Sequence, residues 1–277
     1  MSFAAIIFDL DGVVYVDGDA CDGALEGIDA ARSDGLSVLF MTNNASRTPD
    51  QVVKHLGTMG VDASPQEVLT SSQIGARRLV DHRDADRREE QSKAPLVLAV
   101  GGPGVSDALR EQGFDVLAAG DVPEGGPPRP FWAVLQGYGP QMHVTDLHEA
   151  GYAINAGARW VVTNDDATLP TSRGFAPGNG ALVAAVKHGT GAVPEVVGKP
   201  HRRAYETALA RLELPAERVL AVGDRLDTDI QGANAARVKS ALVLTGVNNR
   251  DDASAASGDL VPDIIVDRIP DLAQHWR

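Results

Sequence analysis

Apolar residues recur along most of the chain in runs of four or five, separated by stretches in which they return at helical spacing. That alternation is the pattern of a parallel α/β sheet, whose strands are buried on both faces and whose helices bury one side. Ala4–Phe8, Ser37–Met41, Leu96–Val100, Trp132–Gln136, Trp160–Thr163, Glu195–Val197, Val219–Val222 and Ala241–Leu244 read as strands. Gly23–Ser33, with Leu25, Ile28 and Ala31 on one side, reads as a helix, as do Ser106–Gln112 and Arg202–Leu212. Thr48-Pro49-Asp50-Gln51 and Ser64-Pro65-Gln66-Glu67 each combine a capping hydroxyl, a proline at the first helical position and Gln or Glu at the third. Both are capping boxes and predict helix starts.

The alternation breaks at His82–Pro95, where eight of fourteen residues are charged and none is a large aliphatic or aromatic. Such a stretch reads as a solvated linker, with a polar helix extension as the alternative. Gly120–Pro130, rich in Gly and Pro, reads as a surface loop. The simplest partition is a domain split in sequence, residues 1–81 plus 191–277, carrying an inserted α/β module over 82–190. The fold class expected is α/β: a Rossmann-like, doubly wound parallel sheet with an inserted α/β cap domain.

Composition narrows the function. At 277 residues, 43% hydrophobic and 23% charged, the chain has material for more than one packed core. Its 38 acidic against 25 basic residues give a formal charge of −13, which argues against nucleic acid and anionic membranes as partners. An anionic ligand must then be held by a local device: a metal ion, a lysine or backbone amides. A single cysteine, Cys21, cannot form an internal disulfide and fits a reducing compartment. The opening residues lack the basic start and apolar run of a secretory signal, and no run approaches the ~20 apolar residues of a membrane span. A soluble cytoplasmic protein is expected.

Four strand-like runs end in polar residues. Ala5–Phe8 leads into Asp9-Leu10-Asp11-Gly12, Val38–Met41 into Thr42-Asn43-Asn44, Glu195–Val197 into Gly198-Lys199-Pro200, and Val219–Val222 into Gly223-Asp224 and on to Asp229. Ligands of open parallel sheets bind beyond the carboxyl ends of the strands, so neighbouring strands would bring carboxylates, a hydroxyl and an ammonium into one crevice. Asp9, Asp11 and Asp224 could not stay ionised together unaided, because like charges at close range force protonation. A hard divalent cation removes that conflict, and Mg²⁺ takes one or two carboxylates, keeps waters and accepts a phosphate oxygen. Lys199 and Thr42 could then hold the remaining phosphate oxygens. The set suits phosphoryl transfer, where catalysis is mostly positioning and charge stabilisation. A carboxylate nucleophile would divide hydrolysis into formation and breakdown of an aspartyl phosphate, and a second carboxyl two residues on could move the protons.

These segments resemble the four motifs of the haloacid dehalogenase-like (HAD) superfamily, in its p-nitrophenyl-phosphatase-like branch, subfamily IIA. The likeness covers nearly the whole chain and extends to Thr163-Asn164-Asp165-Asp166 and Gly174–Gly180. One departure is Cys21-Asp22-Gly23-Ala24, where the branch often carries Ile-Pro-Gly-Ala. The resemblance implies Asp9 as nucleophile and Asp11 as general acid and base. It implies Mg²⁺ held by Asp9, the Asp11 backbone carbonyl and Asp224, with Asp229 in the outer coordination sphere. Thr42, Asn43 and Lys199, with Asn44 beside them, would bind the phosphoryl group. Asn164, Asp165 and Asp166 are candidates for substrate selectivity in the cap.

Thr42 follows Asp9 by only 33 positions, too few for an insertion there, whereas Lys199 follows Thr42 by 157. In the family a late α/β cap accompanies phosphatases of small metabolites, and an acid at position 11 accompanies rapid hydrolysis. A Mg²⁺-dependent phosphatase acting on a small phosphorylated metabolite is therefore expected. A phosphotransferase or mutase using the same intermediate, or a non-catalytic phospho-accepting receiver module, stays open. Such caps often mediate dimers in relatives, which adds a homodimer to the expectations. Gly101-Gly102-Pro103-Gly104 reads as a plain turn rather than a dinucleotide loop. His143 and His148 have the wrong spacing for a zinc site, and Cys21 reads as a packing residue.

Overall fold

The computed structural model describes residues 3–86, 94–171 and 173–276. The chain divides into two compact units: residues 1–42, 49–69 and 199–277 form the first, and residues 43–48 and 70–198 the second.

The first unit is built on a six-stranded sheet. Its order is Val68–Thr70, Ser37–Thr42, Ala5–Phe8, Val219–Gly223, Lys239–Val243 and Ile264–Val266. In chain order these strands run 3-2-1-4-5-6, and Ala5–Phe8 pairs parallel with both Ser37–Thr42 and Val219–Gly223. The order reverses between those two neighbours, which makes the carboxyl end of Ala5–Phe8 the switch point where ligands of doubly wound sheets bind. Ala5–Phe8 is buried at every position, as a strand covered on both faces must be. Ile6, Phe8, Val38, Phe40, Leu220 and Val222 pack in one cluster with Ala24, Ile28 and Ala31 of the helix Ala24–Ser33. Gly23 caps that helix at φ +76, and a Cβ there would lie 2.8 Å from the Pro270 ring. The departure at Cys21-Asp22 therefore leaves the glycine that the loop needs.

The second unit carries its own five-stranded sheet, ordered Asp115–Ala118, Leu96–Val100, Ala133–Gln136, Arg159–Val162 and Glu195–Val196. All of its pairings are parallel, and the order is 2-1-3-4-5 in chain terms, again doubly wound. Helices Val144–Asn155 and Asn179–Thr190 bury Ala150, Ala153, Val183 and Val186 in the cluster that holds Val134, Trp160 and Val162. An antiparallel hairpin joins Thr168–Thr171 to Gly174–Pro177.

Three expectations change. Ser64 does make a capping box, its N–H donating to Glu67 Oε2 at 2.8 Å. The box opens only a single 3₁₀ turn, Pro65–Glu67, because Val68-Leu69-Thr70 are taken by the sheet and the helix starts only at Ser71. Gly102 caps a helix that starts at Pro103 rather than Ser106, with proline in its favoured first-turn place. The charged stretch opens as helix, since Ser71–Asp86 is continuous; residues 87–93 of the expected linker lie outside the described residues. The charges at 82–86 find partners inside the second unit. His82 Nε2 lies 2.8 Å from Glu195 Oε2, the Arg83 guanidinium stacks 5.0 Å from the Phe114 ring, and Asp86 pairs with Arg159 at 2.6 Å. Residues 70–86 and 191–198 thus pack within the second compact unit.

Candidate active site

Asp9 leaves the central strand with its N–H donated to Val222 O of the neighbour at 2.9 Å. The chain then turns back on itself, the Leu10 carbonyl accepting from the N–H groups of Val14 and Tyr15 at 2.9 and 3.1 Å. Gly12 occupies the left-handed region in that turn, and a Cβ on it would lie 2.3 Å from Asp224 Oδ2. Asp224 closes Val219–Gly223, so the switch point sets it beside Asp9. A π-helical turn, Leu226–Ile230, brings Asp229 back toward both. One carboxylate oxygen from each of Asp9, Asp224 and Asp229 lies within 4.8 Å of the other two, and all three residues are buried.

Lys199 reaches this group from the segment ahead of helix Arg202–Leu212. Its Nζ sits 2.6 Å from Asp9 Oδ1 and 2.6 Å from Asp229 Oδ1, with the lysine itself 3% exposed. Asp229 Oδ2 accepts the Arg225 N–H at 3.1 Å, so both Asp229 oxygens are engaged. The buried Tyr205 hydroxyl donates to the Asp229 carbonyl at 2.8 Å. Thr42 ends the strand on the other side of Ala5–Phe8 and is buried. Asp11 is exposed.

One ammonium does not balance three buried carboxylates. Burial, reinforced by Asp229 and Asp224 against the opposing pull of Lys199, pushes the Asp9 carboxyl well above the usual range. Burial and Asp229 push Asp224 up to about 7. Burial acts to lower the Lys199 ammonium, but Asp229 and Asp9 outweigh it and hold the group well above its ordinary value. Asp224 Oδ1 is buried without a hydrogen-bond partner, a costly state for a carboxylate oxygen. An excess of closely spaced hard oxygen donors with one orphaned acceptor is the donor set that Mg²⁺ prefers.

Residues 6–115 match the family model described as haloacid dehalogenase-like hydrolase, and residues 196–272 match the HAD-hydrolase-like model. An acid sugar phosphatase of Staphylococcus aureus is 35% identical over 250 residues, covering 90% of each chain. The chain belongs to the haloacid dehalogenase-like hydrolases. D-glycerol 3-phosphate phosphatase of Mycobacterium tuberculosis is 41% identical over 249 residues, which are 90% of this chain and 65% of that relative's length. A crystal structure of glycerol phosphate phosphatase from Mycobacterium tuberculosis in complex with magnesium superposes with a TM-score of 0.86 at 38% identity, covering 98% of this chain and 76% of that one.

Within this member of the HAD-like family, the remaining sequence candidates fall in the second unit. Asn43 Nδ2 lies 3.2 Å from Asp166 Oδ2, and the Asn43 carbonyl accepts from Ser71 Oγ at 2.6 Å and from Asn164 Nδ2 at 2.7 Å. Asn44 Oδ1 accepts from the Ser46 N–H and Oγ at 2.9 and 2.8 Å, so that oxygen shapes an Asx turn. Asn164 is buried, Asp166 half-buried and Asp165 exposed. Sequence reading missed Tyr205, which lies in an ordinary amphipathic helix with no motif to mark it. It also missed the segment Thr245–Asn248, for which two glycines flanking one buried acid are visible only in three dimensions. Among the described residues, no helix is long and apolar enough to cross a membrane.

Proposed function

We propose that this protein is a Mg²⁺-dependent phosphatase of small phosphate monoesters, and that Asp9 is its nucleophile. The observation carrying this is the buried grouping of Asp9, Asp224 and Asp229 against Lys199 at the switch point of the sheet. An Asp9 oxygen attacks phosphorus, forming an aspartyl phosphate as the ester P–O bond breaks, and the Asp11 carboxylic acid gives its proton to the departing alkoxide. Asp11, now a carboxylate, takes a proton from water as the water oxygen attacks phosphorus. The Asp9–phosphorus bond then breaks and inorganic phosphate leaves. Asp11 is suited to that exchange because it is the acid left exposed to solvent. Thr42, Asn43 and Lys199 take the phosphoryl oxygens. Asp9, the Asp11 backbone carbonyl and Asp224 would hold Mg²⁺, which neutralises the carboxylates and the charge gathered on the phosphoryl oxygens. Asp229, with both oxygens engaged by Lys199 and Arg225, stays in the outer coordination sphere and steadies the lysine.

The substrate class we propose is a small polyol or sugar phosphate, supported by the names of the mycobacterial and staphylococcal relatives. The second unit acts as the cap. Within it Asp166 serves Asn43, leaving the exposed Asp165 as the candidate for contacting the leaving group. A reducing, cytoplasmic setting and a homodimer complete the proposal, resting on the lone cysteine and on the family resemblance.

The direct test is a phosphate-release screen over glycerol phosphates, sugar phosphates and nucleoside monophosphates, with Mg²⁺ or a chelator. Release should require Mg²⁺ and should favour the polyol and sugar esters. Phosphate appearing on an acceptor rather than in water would replace hydrolysis with transfer, and no release from any ester would remove the phosphatase assignment.

pH provides a second expected result. The Asp224 carboxyl titrates near 7 in the metal-free fold, above its unfolded value. The metal-free protein therefore loses the Asp224 contribution to stability as pH rises from the ordinary carboxylate range through about 7. Mg²⁺ competes with that proton, so its affinity should fall below about pH 7, by up to about tenfold per unit. Thermal melts across this range should show a Mg²⁺-induced rise in Tm that grows with pH. A rise of constant size would mean that Asp224 does not titrate in this window.

A further inference from the structure

Asp224 is gripped by a segment that none of the four motifs contains. The Val247 N–H donates to Asp224 Oδ2 at 2.7 Å, and the Asn248 N–H donates to the Asp224 carbonyl at 3.1 Å. Asn248 Oδ1 accepts the Leu226 N–H at 2.9 Å, and Thr245 Oγ1 donates to the Gly12 carbonyl at 2.7 Å. The segment is thus tied at once to the turn after Asp9 and to the start of the turn that carries Asp229.

Two glycines wall the carboxylate. A Cβ at Gly246 would lie 2.1 Å from Asp224 Oδ2 and 2.6 Å from its Cγ, and one at Gly12 would lie 2.3 Å from the same Oδ2. Gly246 is needed for space. Any side chain there would push the carboxylate out of its place. A free carboxylate exchanges its two oxygens by rotating about the last side-chain bond. Here a fixed donor holds Oδ2 while backbone closes on it from two sides, so Oδ1 keeps the open valence, and Oδ1 is the buried atom without a partner.

We propose that Thr245–Asn248 is a positioning element for the cation: it locks the Asp224 carboxylate so that Oδ1 is presented to the metal. This rests on the assignment of Asp224 as a ligand in the proposed function. Residues that orient metal ligands typically change affinity by about 10–100-fold when lost, because ligand order must then be supplied on binding.

The test is isothermal titration of Mg²⁺ into the metal-stripped full chain. Asp224→Asn should abolish binding. Gly246→Ala should weaken it by about 10–100-fold, while circular dichroism remains that of the parent protein. Thr245→Val, which keeps the shape and removes the bond to Gly12, should weaken binding about threefold or more, and Thr245→Ser should restore it. The concentration of Mg²⁺ at half-maximal rate should rise in parallel, with kcat at saturating Mg²⁺ changing far less. If Gly246→Ala does not fold, the Thr245 pair decides. Binding lost in Asp224→Asn but at parent strength in Gly246→Ala or Thr245→Val would overturn the positioning role and leave the ligand assignment standing. Parent-strength binding by Asp224→Asn would overturn the ligand assignment itself, and the positioning role with it.

Discussion

Replacing Lys199 with methionine is expected to cost about 3–5 kcal/mol of stability as well as the activity, because it removes one partner from a buried ion pair. The chain length is similar, so packing changes little. The decisive change is in charge: Asp9 and Asp229 each lose a contact of 2.6 Å and are left beside Asp224 with no ammonium between them, all three buried. Asp9 and Asp224, which Lys199 pulls downward in the parent, would move further above their unfolded values, so the folded state would hold more protons than the unfolded chain. The variant should therefore lose stability more steeply than the parent as pH rises, and the gap between them should narrow in acid, where the carboxyls are neutral. Denaturant unfolding of both proteins at about pH 5 and pH 8 measures this directly. Equal losses at both values would show that Lys199 stabilises through packing rather than charge. Added Mg²⁺ should recover part of the loss at the higher pH, since a divalent cation answers the same excess of negative charge.

Replacing Asp9 with asparagine is expected to lower turnover by about 10⁴-fold or more, as removal of a covalent nucleophile does. The fold should survive. Asparagine fills the same space and can still accept from the Lys199 ammonium, which keeps its second partner, Asp229. Taking one charge away from a crowded acidic group relieves repulsion, so the melting temperature of the metal-free variant should match or exceed that of the parent. The opposite stability outcomes at Lys199 and Asp9 distinguish an electrostatic site from a structural salt bridge. In a structural bridge both substitutions would destabilise. Activity within tenfold of the parent would remove Asp9 as the nucleophile.

Much of this arrangement was legible in the residues. The apolar runs ending at Phe8, Met41 and Val222 became neighbouring strands, because a run buried on both faces has few other places to go. Asp9 and Asp224, just past two of them, gathered because the carboxyl ends of parallel strands lie on one edge of the sheet. Where local patterns and the structure disagree, tertiary partners have outweighed a local signal. The capping box at Ser64 is real, yet an edge position in the sheet claimed the next three residues. The charges of His82, Arg83 and Asp86 looked solvated because their partners, Glu195, Phe114 and Arg159, are distant in sequence. Tyr205 and Gly246 carried no local signal: one acts through a hydroxyl on a backbone carbonyl, the other through the side chain it lacks.

The most direct measurement is acid quench of the Asp11→Asn variant during turnover of a labelled phosphate ester, followed by peptide mapping. Label is expected on Asp9, released by hydroxylamine as an acyl phosphate is. Continued turnover with Asp9 unlabelled, or with the label on another side chain, would contradict it.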